Sequence, residues 1–176
     1  CSSDLVGPEA CAEIDKGIPV MTGASVEVSD AASGEVEVRW SPPTDADTVE
    51  AFPGPYRYAV EARPDAGAEW TVIHEGPTGA VLGELDTVHV HTGIDSEGPT
   101  WRYRVTAWSG EDAIGLSTPA PVPDLQLGPE DNSMVLSVPA GRPWFDTAYV
   151  FHRIAPDGTP TLLDRSEEHT SELQSR

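Results

Sequence analysis

Few residues in this chain have the type and spacing for chemistry, and the most suggestive are two histidines. His89 and His91 stand two apart in the alternating run Thr87-Val88-His89-Val90-His91. On a strand that spacing puts both imidazoles on one face, as a pair of metal ligands requires. Val88 and Val90 take the other face, so the simpler assignment turns the valines to the core and the histidines to solvent. His74 and His152 stand isolated. Asp45, Asp47 and Glu50 form an acidic loop whose oxygens suit weak calcium binding. That loop lacks the glycine and distal glutamate of an EF-hand, and a polar turn accounts for it better. Trp70, Trp101, Trp108 and Trp144 invite ring stacking on sugars, which needs two or more rings on one flat exposed face. Trp101 and Trp108 differ in parity along their run, so one faces the core and the other the outside. No nucleophile elbow, phosphate loop, paired-cysteine zinc site or catalytic triad is present. The expectation is no enzyme, no catalytic or metal residue, and no cofactor.

The elements that must position these residues are short strands. Glu35-Val36-Glu37-Val38-Arg39-Trp40 alternates strictly and is stopped by Pro42-Pro43. Tyr56 to Glu61 alternates again, Pro64-Asp65-Ala66-Gly67 supplies turn chemistry, and Glu69 to Ile73 returns as a partner. Trp101 to Trp108 is the strongest run, turned by Ser109-Gly110-Glu111-Asp112 toward Gly115-Leu116-Ser117. With Ser25 to Val28 these make about seven strands in roughly a hundred residues, the signature of a β-sandwich. No helical stripe of useful length interrupts them.

The pattern then restarts. Asp124 to Leu127 matches Ala24 to Val28, and Ser133 to Val138 matches Gly34 to Trp40. Thr147 to Arg153 matches Tyr56 to Arg63, and each is followed by Pro-Asp with a glycine close behind. Thr159 to Leu163 matches Glu69 to Ile73. The expectation is an internal repeat whose second copy stops about halfway. The short Ala120-Pro121-Val122-Pro123-Asp124 junction predicts a stiff connection between the copies, because proline restricts the chain.

Composition bounds the partners. A formal charge of -20 with Lys16 as the only lysine leaves no basic tract to displace counterions, so nucleic acid is excluded as a partner. The longest apolar runs, such as Ala148 to Phe151, are far too short to span a bilayer. An acidic surface suits a dispersed extracellular module.

Both ends look foreign. Cys1-Ser2-Ser3-Asp4-Leu5 and Arg165 to Ser175 have possible coding strings that are partly reverse complements, and both resemble short-read sequencing adapters. Setting residues 1–5 and 165–176 aside removes four acids and two bases and moves the charge from -20 to -18. It leaves about Val6 to Asp164 as native chain.

Gly34-Glu35-Val36-Glu37-Val38-Arg39-Trp40-Ser41-Pro42-Pro43 resembles the second strand of a fibronectin type III module, and Trp101 to Ala107 resembles its sixth. The resemblance implies an all-β, fibronectin type III-like (immunoglobulin-like) sandwich. It makes Trp40 the core tryptophan and Tyr103 the corner tyrosine with its hydroxyl on nearby backbone, supported by Val36, Val38 and Val105. Pro42 to Thr48 with Phe52 to Tyr58, and Asp131 to Ser137 with Pro143 to Asp146, resemble repeats of Bacteroidetes gliding-motility-associated surface proteins secreted by the type IX system. Val138 departs from that pattern, standing where the repeat has tryptophan. The organisation this implies is 1–5 adapter-derived, 6–18 the end of a preceding module, 19–122 a complete module, 123–164 the first half of a second, and 165–176 adapter-derived. Cys11 would then pair with a cysteine outside the fragment, a free buried thiol being the alternative. The implied function is a non-catalytic structural, adhesion or spacer module of a large secreted or cell-surface bacterial protein. The alternative is an accessory, carbohydrate-binding module of a secreted hydrolase. The implied partners are neighbouring modules of the same chain and a surface polysaccharide or protein, with no nucleic acid and no membrane insertion.

Overall fold

The computed structural model describes residues 17–123 without a break, and beyond them the strand segments 126–130, 133–137, 149–154, 159–166 and 173–174. Seven strands build the continuous part: β1 (Val20–Val28), β2 (Gly34–Ser41), β3 (Tyr56–Arg63), β4 (Thr71–Glu75), β5 (Val88–Ile94), β6 (Arg102–Ser109) and β7 (Asp112–Leu116). A two-residue β8 (Ala120–Pro121) adds to β6, and the helical content of this part is one 3-10 turn, Leu82–Glu84. No helix among the described residues is long and apolar enough to cross a membrane.

The strands form two antiparallel sheets, β1-β2-β5 and β4-β3-β6-β7. Period-two alternation gives each strand one apolar face, and burying the apolar faces of the two sheets against each other makes the core. From one sheet come Met21, Val36, Val38 and Trp40; from the other Tyr58, Val60, Tyr103 and Val105. Val36, Val38, Val60, Tyr103 and Val105 are wholly excluded from solvent, and Trp40 meets Tyr58 edge-on at 5.5 Å. Edge-on contact sets the positive ring edge against the negative face, adding roughly 1 kcal/mol to the area term.

The turns follow local chemistry. Asp30 Oδ1 accepts from the backbone N–H groups of Ala32 and Ser33, closing the β1–β2 turn. Gly110 takes φ 57° between β6 and β7, a left-handed conformation costly for a residue with a Cβ. Val122 is buried and donates its N–H to the Trp101 carbonyl at 2.9 Å. The segment through Val122 therefore belongs to the packed sandwich and not to a free junction.

Beyond it, β9 (Gln126–Glu130) pairs with β10 (Ser133–Ser137), and β11 (Tyr149–Ile154) with β12 (Pro160–Ser166), all antiparallel. These pairs repeat β1–β2 and β3–β4 in chain order. A short β13 (Leu173–Gln174) lies on the other edge of β10. Cys1, Cys11, Val138, Trp144 and most of segment 6–18 lie outside the described residues.

Candidate functional site

Register, not local pattern, decides where the histidines point. In the β2–β5 ladder His91 is the direct partner of Val36, and His89 of Val38. Directly paired residues share a face, and Val36 and Val38 face the core, so both imidazoles do too. Val88 and Val90 are 42% and 40% exposed. The assignment of the histidines to solvent is thus reversed. β5 is an edge strand whose outward side is lined by Glu37 and Arg39 across the ladder, and the valines share that side.

Nor is His74 isolated. It enters from β4 and stacks on His89, with ring centroids 4.2 Å apart and planes 15° from parallel. Burial, then the nearby His74 and His91, push His89 down to about 4, so it is neutral at physiological pH. Burial lowers His91 as well. His91 Nδ1 and the Tyr103 hydroxyl share a hydrogen bond of 3.1 Å. The His91 ring also meets Trp101 edge-on at 5.2 Å, and the Trp101 indole N–H donates to the Asp95 carbonyl at 2.6 Å. Burial raises the Tyr103 phenol, which therefore acts as a neutral hydroxyl.

This cluster is poorly built for a metal. Imidazole lone pairs lie in the ring plane, so two rings stacked nearly parallel aim side by side, not at a common ion. Among the described residues no group of three or more His, Cys, Asp or Glu converges. What the arrangement does is pack polar rings against the core, with burial holding His89 and His91 toward the neutral form.

The acidic loop is committed to its own backbone. Asp47 Oδ1 accepts from the N–H groups of Val49 and Glu50, each at 3.0 Å, which lowers its pKa below the ordinary carboxylate value. The Tyr56 hydroxyl donates to the Phe52 carbonyl at 2.6 Å and pins the far end of the loop. So Tyr56 bonds nearby backbone through its hydroxyl, while Tyr103, to which the resemblance gave that role, meets the side chain of His91. The Tyr58 phenol, pushed up to about 12 by burial, donates to the Leu82 carbonyl at 3.4 Å.

A third arrangement is absent from the motif reading. On the outer face of β3 and β6, the direct partners are Arg57 with Trp108, Glu61 with Arg104, and Arg63 with Arg102. Arg104 holds Glu61 through two hydrogen bonds, 2.9 and 3.0 Å. Arg57 lies over the Trp108 ring at 4.9 Å, and both Arg63 and Arg104 lie within 4.5 Å of the Trp70 ring centre. Such contacts contribute about 0.5–2 kcal/mol each according to how dry they are. Arg63 and Arg102 carry buried Nε atoms with no hydrogen-bond partner among the described residues. The signal was present in sequence: Arg57, Glu61 and Arg63 share one parity on their run, and Arg102, Arg104 and Trp108 share one on theirs. Trp101 packs against the core and Trp108 lies on the outer face, as their parity requires.

No family model matches this chain, and no curated protein does. Among solved structures, an Fn3-like protein from Clostridium thermocellum is similar, 21% identical over 60% of this chain and 88% of that one, with a TM-score of 0.38. The FN1-FN3 domains of chicken CNTN1 are 15% identical over 88% of this chain and 56% of that one, with a TM-score of 0.39. The fold is an all-β, fibronectin type III-like sandwich. The strand order that carries it is β1-β2-β5 in one sheet and β4-β3-β6-β7 in the other.

Proposed function

We propose that the chain is a non-catalytic structural or adhesion unit, one of several sandwich modules set in series along a larger secreted or cell-surface bacterial protein. The observation that carries this reading is the repeated strand pairing, β9–β10 and β11–β12 after β1–β2 and β3–β4. Residues 19–122 are one module in this account and 123–164 begin another. Packing of Val122 and β8 onto β6 leaves only a few residues, Pro123 among them, to set the angle between the modules. The interior polar groups support the same reading, since His89, His91, Tyr103 and Tyr58 serve packing and hydrogen bonding inside the module. The gliding-motility setting and type IX secretion rest on the sequence resemblance alone. So does an outside pairing for Cys11.

The competing reading, a carbohydrate-binding accessory module, requires bare tryptophan faces. Trp70 and Trp108 share the outer side of one sheet, but guanidinium groups lie over their rings. Retention of the full chain on insoluble cellulose, chitin and xylan separates the two. The spacer reading expects elution with the unbound control on all three; retention on any of them that Trp108→Ala abolishes would replace it with the accessory one.

A further inference from the structure

The two outer faces of the sandwich differ in a way that a spacer alone does not need. In a chain of formal charge -20 with ten basic residues, four arginines gather on the outer face of β3 and β6. Two carboxylates share that side, Glu61, already held by Arg104, and Glu75, paired beside Ala59. The apolar side chains Val72 and Leu116, 51% and 42% exposed, flank them. The outer face of β1-β2-β5 is the opposite: Glu27, Glu35 and Glu37 against Arg39, with Val88 and Val90 exposed between them. Each face thus has a surplus of charge matched to the other and an uncovered apolar strip. Arginine and tryptophan together are the side chains most often found at the energetic centre of protein interfaces.

We propose that the β4-β3-β6-β7 outer face of one copy docks on the β1-β2-β5 outer face of a second copy, giving a head-to-tail stack. Two like faces cannot meet, because a symmetric pairing would oppose arginines to arginines or glutamates to glutamates. A sugar is the poorer occupant, since the tryptophan rings are already covered by guanidinium groups.

Size sets the strength. Two strands of eight residues and two of five, about 4.8 Å apart, present roughly 400 Å² per partner, below the roughly 800 Å² of a standard stable interface. The contact is therefore weak between free chains and effective where copies are tethered or crowded. Overall like-charge repulsion opposes it at low salt. At about 0.15 M salt the screening length is about 8 Å, so whole-molecule repulsion is largely lost while ion pairs about 3 Å apart persist.

Sedimentation equilibrium of the full chain at about 0.15 M salt, up to the millimolar range, tests this. The weight-average mass rises with concentration. Arg63→Gln/Arg102→Gln and Glu35→Gln/Glu37→Gln each weaken association about tenfold. Mixed in equal amounts, the two variants form a one-to-one dimer and nothing larger, because each retains the face the other lacks. Should the arginine pair fail to fold, Leu116→Glu, at an exposed site on the same face, replaces it. The proposal is overturned by a chain that stays monomeric throughout, by variants that associate as the parent does, or by a variant mixture no heavier than either variant alone. A monomeric chain that binds a uronate polymer would assign the arginine face to an acidic glycan instead.

Discussion

His89 sits where a valine would be simpler, and its environment makes a pH dependence unavoidable. The group is depressed from 6.5 to about 4, chiefly by burial. Above pH 6.5 it is neutral whether the chain is folded or not. Between pH 6.5 and about 4 the unfolded chain takes up a proton that the folded chain refuses, so stability falls as the pH falls. Below about 4 both forms are protonated and the loss levels off. The full shift discounted for partial exposure amounts to about 1–3 kcal/mol. Urea unfolding at steps between pH 7 and pH 4 should show this slope, and His89→Gln should flatten it; an unchanged slope in the variant would put His89 back in solvent. Asp30 and Asp47, held low by backbone N–H groups, lose their contribution only below the ordinary carboxylate value, in a separate window. Tyr103→Phe removes the hydroxyl that meets His91 and is expected to cost about 1 kcal/mol, read as a lower urea midpoint at constant m.

At the scale of the element, alternation in Glu35 to Trp40 identified the strand and its buried side, and Val36, Val38 and Trp40 are in the core. The same alternation in Thr87 to His91 identified a strand but not its face. Both valines and histidines can occupy a half-buried edge, and the choice was made by pairing with β2, a relation between residues some fifty positions apart. The arginine–tryptophan ladder failed to show for a related reason. Each strand carries only half of it, and no single run contains a motif. What the short range did settle was turns and breaks, where glycine, proline and aspartate act on their own neighbours. Gly34 shows how tight the pairing of elements is: a Cβ there would land on the Ser96 side chain and within 2.8 Å of the Ile94 carbonyl oxygen. Gly34→Ala should therefore destabilise by about 1–3 kcal/mol. Gly67→Ala, with nothing within 4 Å of the added carbon, should leave the midpoint almost unchanged. Equal effects at the two sites would mean that β2 and the segment after β5 do not close as described.

At the scale of the whole molecule, a module in series must unfold as one mechanical and cooperative unit, here residues 19–122. The core draws on both sheets and on β8 at the exit, so no strand pair described within residues 19–122 is independent of the rest. A chain of modules in series would transmit tension through such units one at a time. The direct measurement is single-molecule extension of the full chain held by its two ends. The account predicts a discrete unfolding step releasing on the order of 330 Å of contour, from about 3.5 Å per residue less the folded span. Smooth extension without such a step, or a step corresponding to half that length, would contradict it and remove the basis for reading the chain as a structural module.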